Sequence, residues 1–363
     1  MLENNELNKD KIDVLTKSIA RLENKTSKFL FCVPDTPTPS ASIYELYTHA
    51  NAVIKLGYKA IILTERRDLK PPDWIESEYT DIPHLLITDS KLTVSPDDFM
   101  IIPDVFTNIM EQTKKLPCTR ICLVQSLDYL LNSLIPGTDL TNFGINEVIT
   151  TSKVLEDKLN IFFKDTYKIK KYSIGIPDYF TKSQKPQKPV VSIVSRNSND
   201  ISKVIKLFYC KYPQYRWVTF DPLLSDSKPP TQLSRVDFAE RVSGNFAAVW
   251  IDRISSFGTF PLECMKSGVI PIFVIPDLIP EYIKEGNDFV DAGLYTDNVY
   301  DIPTMIGDLL SRFIDDSIPE DIYDKMQEIS SKYSIADSIN ELGLLYTEYI
   351  NDKIELFKKT LND

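Results

Sequence analysis

Short runs of apolar residues, rich in β-branched and aromatic types, recur along the chain between segments whose apolar positions fall at helical spacing. Lys28–Val33, Tyr58–Thr64, His84–Thr88, Phe99–Ile102, Arg120–Val124, Glu147–Thr151 and Lys168–Ile174 read as strands. Val190–Ser195, Arg216–Phe220, Ala247–Ile251, Val269–Ile275 and the short Phe289–Val290 read the same way. Runs this brief and this continuously apolar suit strands buried on both faces of a parallel sheet. Between them, Ile43, Leu46, Ala50, Val53 and Ile54 form one helical stripe, opened by a Ser42/Glu45 capping box and closed by Gly57. Further helices are predicted at Val105–Lys115, Lys153–Phe163, Ile201–Tyr209, from Ser234 to Val242, and at Leu278–Glu285, Ile302–Ile314 and Pro319–Lys332. Strand and helix alternating in this way predict an α/β fold of doubly wound, Rossmann-like sheets.

The ends and the middle of the chain divide it. Residues 1–26 carry Leu2, Ile12, Leu15, Ile19 and Leu22 among charged residues, an amphipathic helix that must lie on its own domain, a partner or a membrane surface. Residues 181–189 hold lysines, prolines and Gln with no apolar side chain until the next strand, and read as a linker between a first domain at 27–180 and a second at 190–334. The segment 335–363 places Ile339, Leu342, Tyr346, Tyr349, Ile350, Ile354 and Phe357 on one stripe. A helix of ~25 residues spans ~37 Å, enough to bridge two domains.

Composition narrows the function. The chain has 363 residues, 43% of them hydrophobic, which is ample for two cores. Its net charge of −11 argues against a nucleic-acid partner or a broad anionic-membrane surface, either of which needs a basic face. Five scattered cysteines suit reduced, mostly buried thiols, and with two histidines in the whole chain no metal site is expected. A polar N-terminus and no long apolar stretch predict a cytoplasmic protein, with membrane contact only peripheral.

Candidate chemistry concentrates in residues 247–281. Ala247–Ile251 leads into the turn-forming Asp252–Gly258, then a short helix that accepts Pro261 in its first turn and stops at Gly268, then the strand Val269–Ile275. The helix therefore opens beside the carboxyl end of a strand, where open α/β sheets bind ligands. Backbone N–H groups around Gly258, Thr259 and Phe260 suit an anion such as phosphate, and Glu263 lies where a carboxylate accepts two hydroxyl hydrogen bonds. Phosphate and a vicinal diol together describe a nucleotide. The plain structural alternative is a turn at Gly258 and an electrostatic cap at Glu263, with nothing bound.

The segment Ser256-Phe257-Gly258-Thr259-Phe260-Pro261-Leu262-Glu263-Cys264-Met265, followed by Ser267-Gly268-Val269-Ile270-Pro271-Ile272 and Pro280-Glu281, resembles the donor-binding segment of GT-B glycosyltransferases. The likeness is to the retaining group that includes sucrose and glycogen synthases. It implies two Rossmann-like domains facing a cleft and a terminal helix that crosses back to the first domain. It also implies that Glu263 holds a ribose and that the amides of Gly258 and Thr259 meet a diphosphate or donor sugar. Such families usually carry a second Glu eight positions before the first; here that position is Ser255. Gly175-Ile176-Pro177-Asp178 is similar to the hinge by which these chains leave the first domain.

An Arg at the position of Arg196, with a Lys soon after it, clamps the donor diphosphate in the family. Lys203 is the candidate partner, and Arg253 the substitute. The resemblance thus implies Arg196, Lys203 and Glu263 as catalytic residues. Arg253, Ser255, Ser256, Phe257, Gly258 and Thr259 complete the donor site with Arg196 and Glu263. Asp35, Gln125 and Asp128 sit just past first-domain strands and are candidates for the acceptor side. An inverting reaction would draw its base from Asp35, His49 or Asp128, although a mid-helix His49 also suits simple core packing.

The expected activity is sugar transfer from a nucleotide-diphosphate donor to a glycan or lipid-linked acceptor, without cofactor or metal, in bacterial surface polysaccharide synthesis. The alternatives are a non-catalytic scaffold with a degenerate nucleotide-sugar site, and a GT-B-shaped enzyme acting on free nucleotide sugars.

Overall fold

A computed structural model describes residues 2–36, 39–66, 71–163, 166–183, 188–224, 233–285 and 295–362. The first half forms a seven-stranded sheet in the order β3-β2-β1-β4-β5-β6-β7. Its strands are β1 (Lys28–Cys32), β2 (Lys59–Thr64), β3 (His84–Leu86), β4 (Phe99–Pro103), β5 (Thr119–Val124), β6 (Glu147–Thr150) and β7 (Lys168–Lys171). The second half forms a five-stranded sheet in the order β12-β11-β10-β8-β9. Here the strands are β8 (Lys188–Ser195), β9 (Thr219–Leu224), β10 (Asn245–Ile251), β11 (Ile270–Val274) and β12 (Tyr295–Thr296). Every described pairing is parallel. Parallel strands need crossover helices, so both faces of each sheet are covered. The burial of every residue of β4, β10 and β11 follows from that.

Several expected elements shift. The Ser42/Glu45 capping box does not form: helix α2 (Ala41–Lys55) starts after Ser40, which makes no side-chain cap. The Glu45 side chain instead turns into the core, where Tyr172 Oη donates to its Oε2 at 2.9 Å. The strand expected at Arg216–Phe220 begins later and runs through Pro222, which an edge strand tolerates because its outer side has no ladder bond to lose. The expected strand Phe289–Val290 lies outside the described residues, as do 184–187 of the expected linker, whose last two residues already belong to β8, and the loop 221–231 beyond Leu224. Four cysteines are buried and Cys210 is exposed.

The two halves are joined at two adjacent crossings. The Ile176 amide donates to the Tyr333 carbonyl at 2.8 Å, and a Cβ on Gly175 would lie 2.5 Å from Ile335 Cα. A side chain at Gly175 would thus push the outgoing strand from the returning helix. That helix, Ile335–Asn362, runs back over the first domain. Tyr346 Oη meets His49 Nδ1 at 2.7 Å, and Lys353 Nζ donates to the Asp98 carbonyl at 2.9 Å. The N-terminal helix α1 (Leu2–Glu23) lies on its own domain and on the returning helix, with Leu22 fully buried and Arg21 3.0 Å from Asp97. No described helix is long and apolar enough to cross a membrane.

Candidate active site

The carboxyl ends of β1 and β5 from the first sheet face those of β8 and β10 from the second across a cleft of about 430 Å³. Ligand sites of α/β proteins are of this size and in this place.

Asp252, the first residue after β10, organises the second-domain wall. Its Oδ1 accepts the amides of Ile254 and Ser255 at 3.0 and 3.2 Å, and its Oδ2 accepts the Ser255 hydroxyl at 2.8 Å. The same Oδ2 accepts Arg196 Nε at 3.1 Å. Arg196 stands at the end of β8, more than half exposed, with its guanidinium 5.5 Å from the centre of the first-domain Tyr129 ring. One buried carboxylate thus shapes the loop and aims a cation over the cleft.

The loop then enters helix α8 (Thr259–Lys266) through Gly258, at φ +71°. A Cβ there would lie 2.3 Å from the Trp250 ring, so glycine is required by conformation and by space together. Tyr282 Oη donates to the Gly258 carbonyl at 2.8 Å, and Phe257 is buried against the rings of Tyr282 and Tyr333. These contacts hold the start of α8 rigid. First-turn amides have no partner inside a helix, and Gly258, Thr259 and Phe260 line the cleft. Ser256 also lines the cleft, and its Oγ accepts the Leu127 amide at 3.1 Å across the domain boundary.

Glu263 lines the floor and is 2% exposed. It is paired with a residue that no motif marks: Arg235, the first residue of α7 (Arg235–Val242), whose Nη2 donates to Glu263 Oε1 at 2.8 Å. Burial works against the Arg235 charge, but the Glu263 carboxylate more than offsets it and holds the guanidinium above its ordinary range. Glu45 lines the same floor from the first domain. Burial pushes its carboxyl up to about 7; the Tyr172 hydrogen bond and the Arg235 charge restrain the rise, and Glu263 adds to it.

Of the first-domain candidates, Gln125 lines the cleft, with its amide on Asp104 Oδ2 at 2.8 Å and its Nε2 on the Ser42 carbonyl at 3.1 Å. Five expected residues stand elsewhere. Lys203 is one turn into α6 (Ser198–Lys211), paired with Asp200 at 3.0 Å and facing the Tyr300 ring. Arg253 points outward and donates to the Asp297 carbonyl at 2.8 Å. Asp35 is not among the residues that line the cleft and accepts the Glu65 amide at 3.1 Å. Asp128 sits beside Asp277, and burial with that charge raises its carboxyl. His49 is fully buried against Tyr346 and Tyr172, and burial lowers its imidazole to about 3. Among the cleft residues that sequence reasoning passes over are Asp252, Tyr129, Glu45 and Arg235. Asp252 carried a signal, as a turn residue directly after a strand; the other three carried none.

No protein-family model and no curated protein matches the sequence. Solved structures do match in fold. A sucrose-phosphate synthase from Thermosynechococcus elongatus superposes with a TM-score of 0.61 at 13% identity, over 90% of this chain and 100% of that one. A glycosyltransferase from Rickettsia africae gives 0.53 at 15% identity, over 91% and 99%. UGT71G1 from Medicago truncatula, solved in complex with UDP-glucose, gives 0.52 at 11% identity, over 91% and 99%. Two parallel-stranded Rossmann-like halves facing a cleft, with a terminal helix that returns to the first, are the GT-B glycosyltransferase fold.

Proposed function

We propose that the chain is a glycosyltransferase that takes a sugar from a nucleoside-diphosphate donor held by the second domain and passes it to a glycan or lipid-linked saccharide held by the first. The observation that carries this reading is the convergence, in one cleft, of the Arg196 guanidinium, the open N-terminus of α8 behind Gly258, and the Glu263 carboxylate. Arg196 and the first-turn amides meet the diphosphate, where bidentate hydrogen bonding and the helix dipole favour negative charge. Glu263 accepts the ribose hydroxyls. As the sugar leaves, charge grows on the diphosphate, and groups already fixed by Asp252, Tyr129 and Tyr282 stabilise it without rearranging. The reading includes metal independence and a cytoplasmic setting in surface-glycan synthesis, with any membrane contact made through the acceptor.

The test is thermal unfolding of the full chain with UDP, GDP and ADP, with and without EDTA, beside Glu263→Ala and Arg196→Ala. A ligand at about 100 times its Kd adds ~2.7 kcal/mol, a shift of a few degrees. Stabilisation by one diphosphate, retained in EDTA and lost in both variants, is the expected result. No response to any of the three would count against the reading. Ser255 in place of a carboxylate favours a second reading, a non-catalytic nucleotide-sugar-binding protein. Slow release of diphosphate from a bound nucleotide sugar excludes it.

A further inference from the structure

Glu263 does not stand alone on the cleft floor. Arg235 Nη2 donates to its Oε1 at 2.8 Å, and the two side chains are 13% and 2% exposed. A buried ion pair is a weak source of stability, because desolvating two charges consumes most of their attraction. What such a pair does supply is a fixed direction for each group.

The guanidinium is itself held from several sides. Its carbon lies 5.1 Å from the centre of the Tyr44 ring, on the first domain, and 5.4 Å from that of Phe180, beside the crossing between domains. The Arg235 amide donates to the Trp74 carbonyl at 3.1 Å, again on the first domain. Ser234 caps α7 with its side chain and so fixes where Arg235 starts. The position of the cation is determined by four separate contacts before Glu263 is considered. With Oε1 tied to it, the carboxylate that lines the cleft keeps one orientation, and its remaining lone pairs are presented along one line.

We infer that Arg235 is a positioning residue for the nucleotide ribose: it holds Glu263 pre-aimed at the 2′,3′-diol, so that the carboxylate need not order when the ligand arrives. This rests on the reading of the cleft as a nucleotide site. Pre-aiming matters because a free glutamate loses rotamer entropy on accepting two hydroxyls, and a carboxylate already fixed does not. Lysine does not replace arginine here, since an ammonium is a point charge on a flexible stem and fixes no direction.

The experiment is calorimetric titration of the full chain with UDP, GDP and ADP and with their 2′,3′-dideoxy counterparts. It compares wild type with Arg235→Gln, Arg235→Lys, Glu263→Gln and the double variant Arg235→Gln/Glu263→Gln. Expected for the ribonucleotide that binds is a loss of about tenfold in Arg235→Gln and in Glu263→Gln, with the double variant no weaker than Glu263→Gln. The dideoxy form, which has no diol, should change by less than about twofold in every variant. Arg235→Lys keeps the charge and serves if Arg235→Gln does not fold; a selective loss there supports the role equally. Equal losses for both nucleotide forms overturn the inference, because they report a structural defect. So does tighter ribonucleotide binding in Arg235→Gln, which would make the guanidinium a competitor of the ribose. If wild type binds a ribonucleotide but Glu263→Gln binds it as well, this inference falls while the donor-site reading stands. If wild type binds none of the three, both fall.

Discussion

Ser126 Oγ donates to the Ile254 carbonyl at 2.8 Å, joining the first helical turn after β5 to the loop after β10 across the domain boundary. The next residue repeats the connection in reverse, with the Leu127 amide on Ser256 Oγ at 3.1 Å. The same Ser126 Oγ accepts the Tyr129 amide as the N-cap of α4 (Leu127–Ser133). The first domain therefore holds the shape of the loop that leads to Gly258.

Removing the loop's half of this bridge is the cleaner test, since Ser126 also caps a helix. Ser256→Ala leaves the Leu127 amide without its partner and should cost about 1 kcal/mol of stability. Amide hydrogen exchange at residues 253–257 should quicken while the strand β10 stays protected. Unchanged exchange there would show that Asp252 orders the loop unaided.

Arg196 and Lys203 should separate in function. Arg196 lines the cleft beside Asp252 and Tyr129, whereas Lys203 is paired with Asp200 and is not among the residues that line it. Arg196→Ala should abolish the thermal shift produced by a nucleoside diphosphate. Lys203→Ala and Arg253→Ala should keep it, and a loss in either would require the helix or loop to move on binding.

Gly258 meets two demands at once, a positive φ and the nearby Trp250 ring. Gly258→Ala should destabilise the fold by about 1–3 kcal/mol and remove nucleotide binding. Adding Trp250→Leu relieves the steric part only. Stability in the double variant should recover in part, as measured by urea unfolding, while the affinity stays low.

Glu45 makes stability depend on pH. Its carboxyl is raised from an ordinary 4.5 to about 7 by burial, so the folded chain binds the proton more tightly than the unfolded one. The contribution is full below about pH 4.5 and is lost as pH rises through about 7, to a total on the order of 3 kcal/mol. Glu45→Gln keeps an acceptor for Tyr172 and removes the titration. The variant should match wild type at pH 5 and exceed it at pH 8 in denaturant unfolding. His49, held neutral by burial, works in the opposite direction on acidification, so the difference between variant and wild type is the quantity to follow.

Much of this protein could be read along the chain. The apolar runs that became β1, β4, β10 and β11, the helix stops at Gly57 and Gly268, and the strand-loop-helix around Gly258 depend on residues within a few positions of each other. Hydrophobic period, turn chemistry and a missing Cβ act over that range, so they leave a local mark. Glu45 shows the limit. Its spacing from Ser42 spells a capping box, yet its side chain turns inward to Tyr172, 127 positions away, because α2 is packed between β1, β2 and the returning helix and that side chain is buried. The resemblance pairs Lys203 with Arg196, but in the fold Lys203 bonds Asp200 on its own helix and is not among the residues that line the cleft. Arg235 and Glu263 are 28 positions apart with no motif connecting them. Which surface covered the amphipathic N-terminal helix was equally open until the terminal helix was seen lying beside it. Short-range patterns therefore determined the elements and the loop that opens the site. The charge pairs that aim its side chains were decided by how those elements pack, since an ion pair needs only proximity in space and imposes no spacing on the sequence.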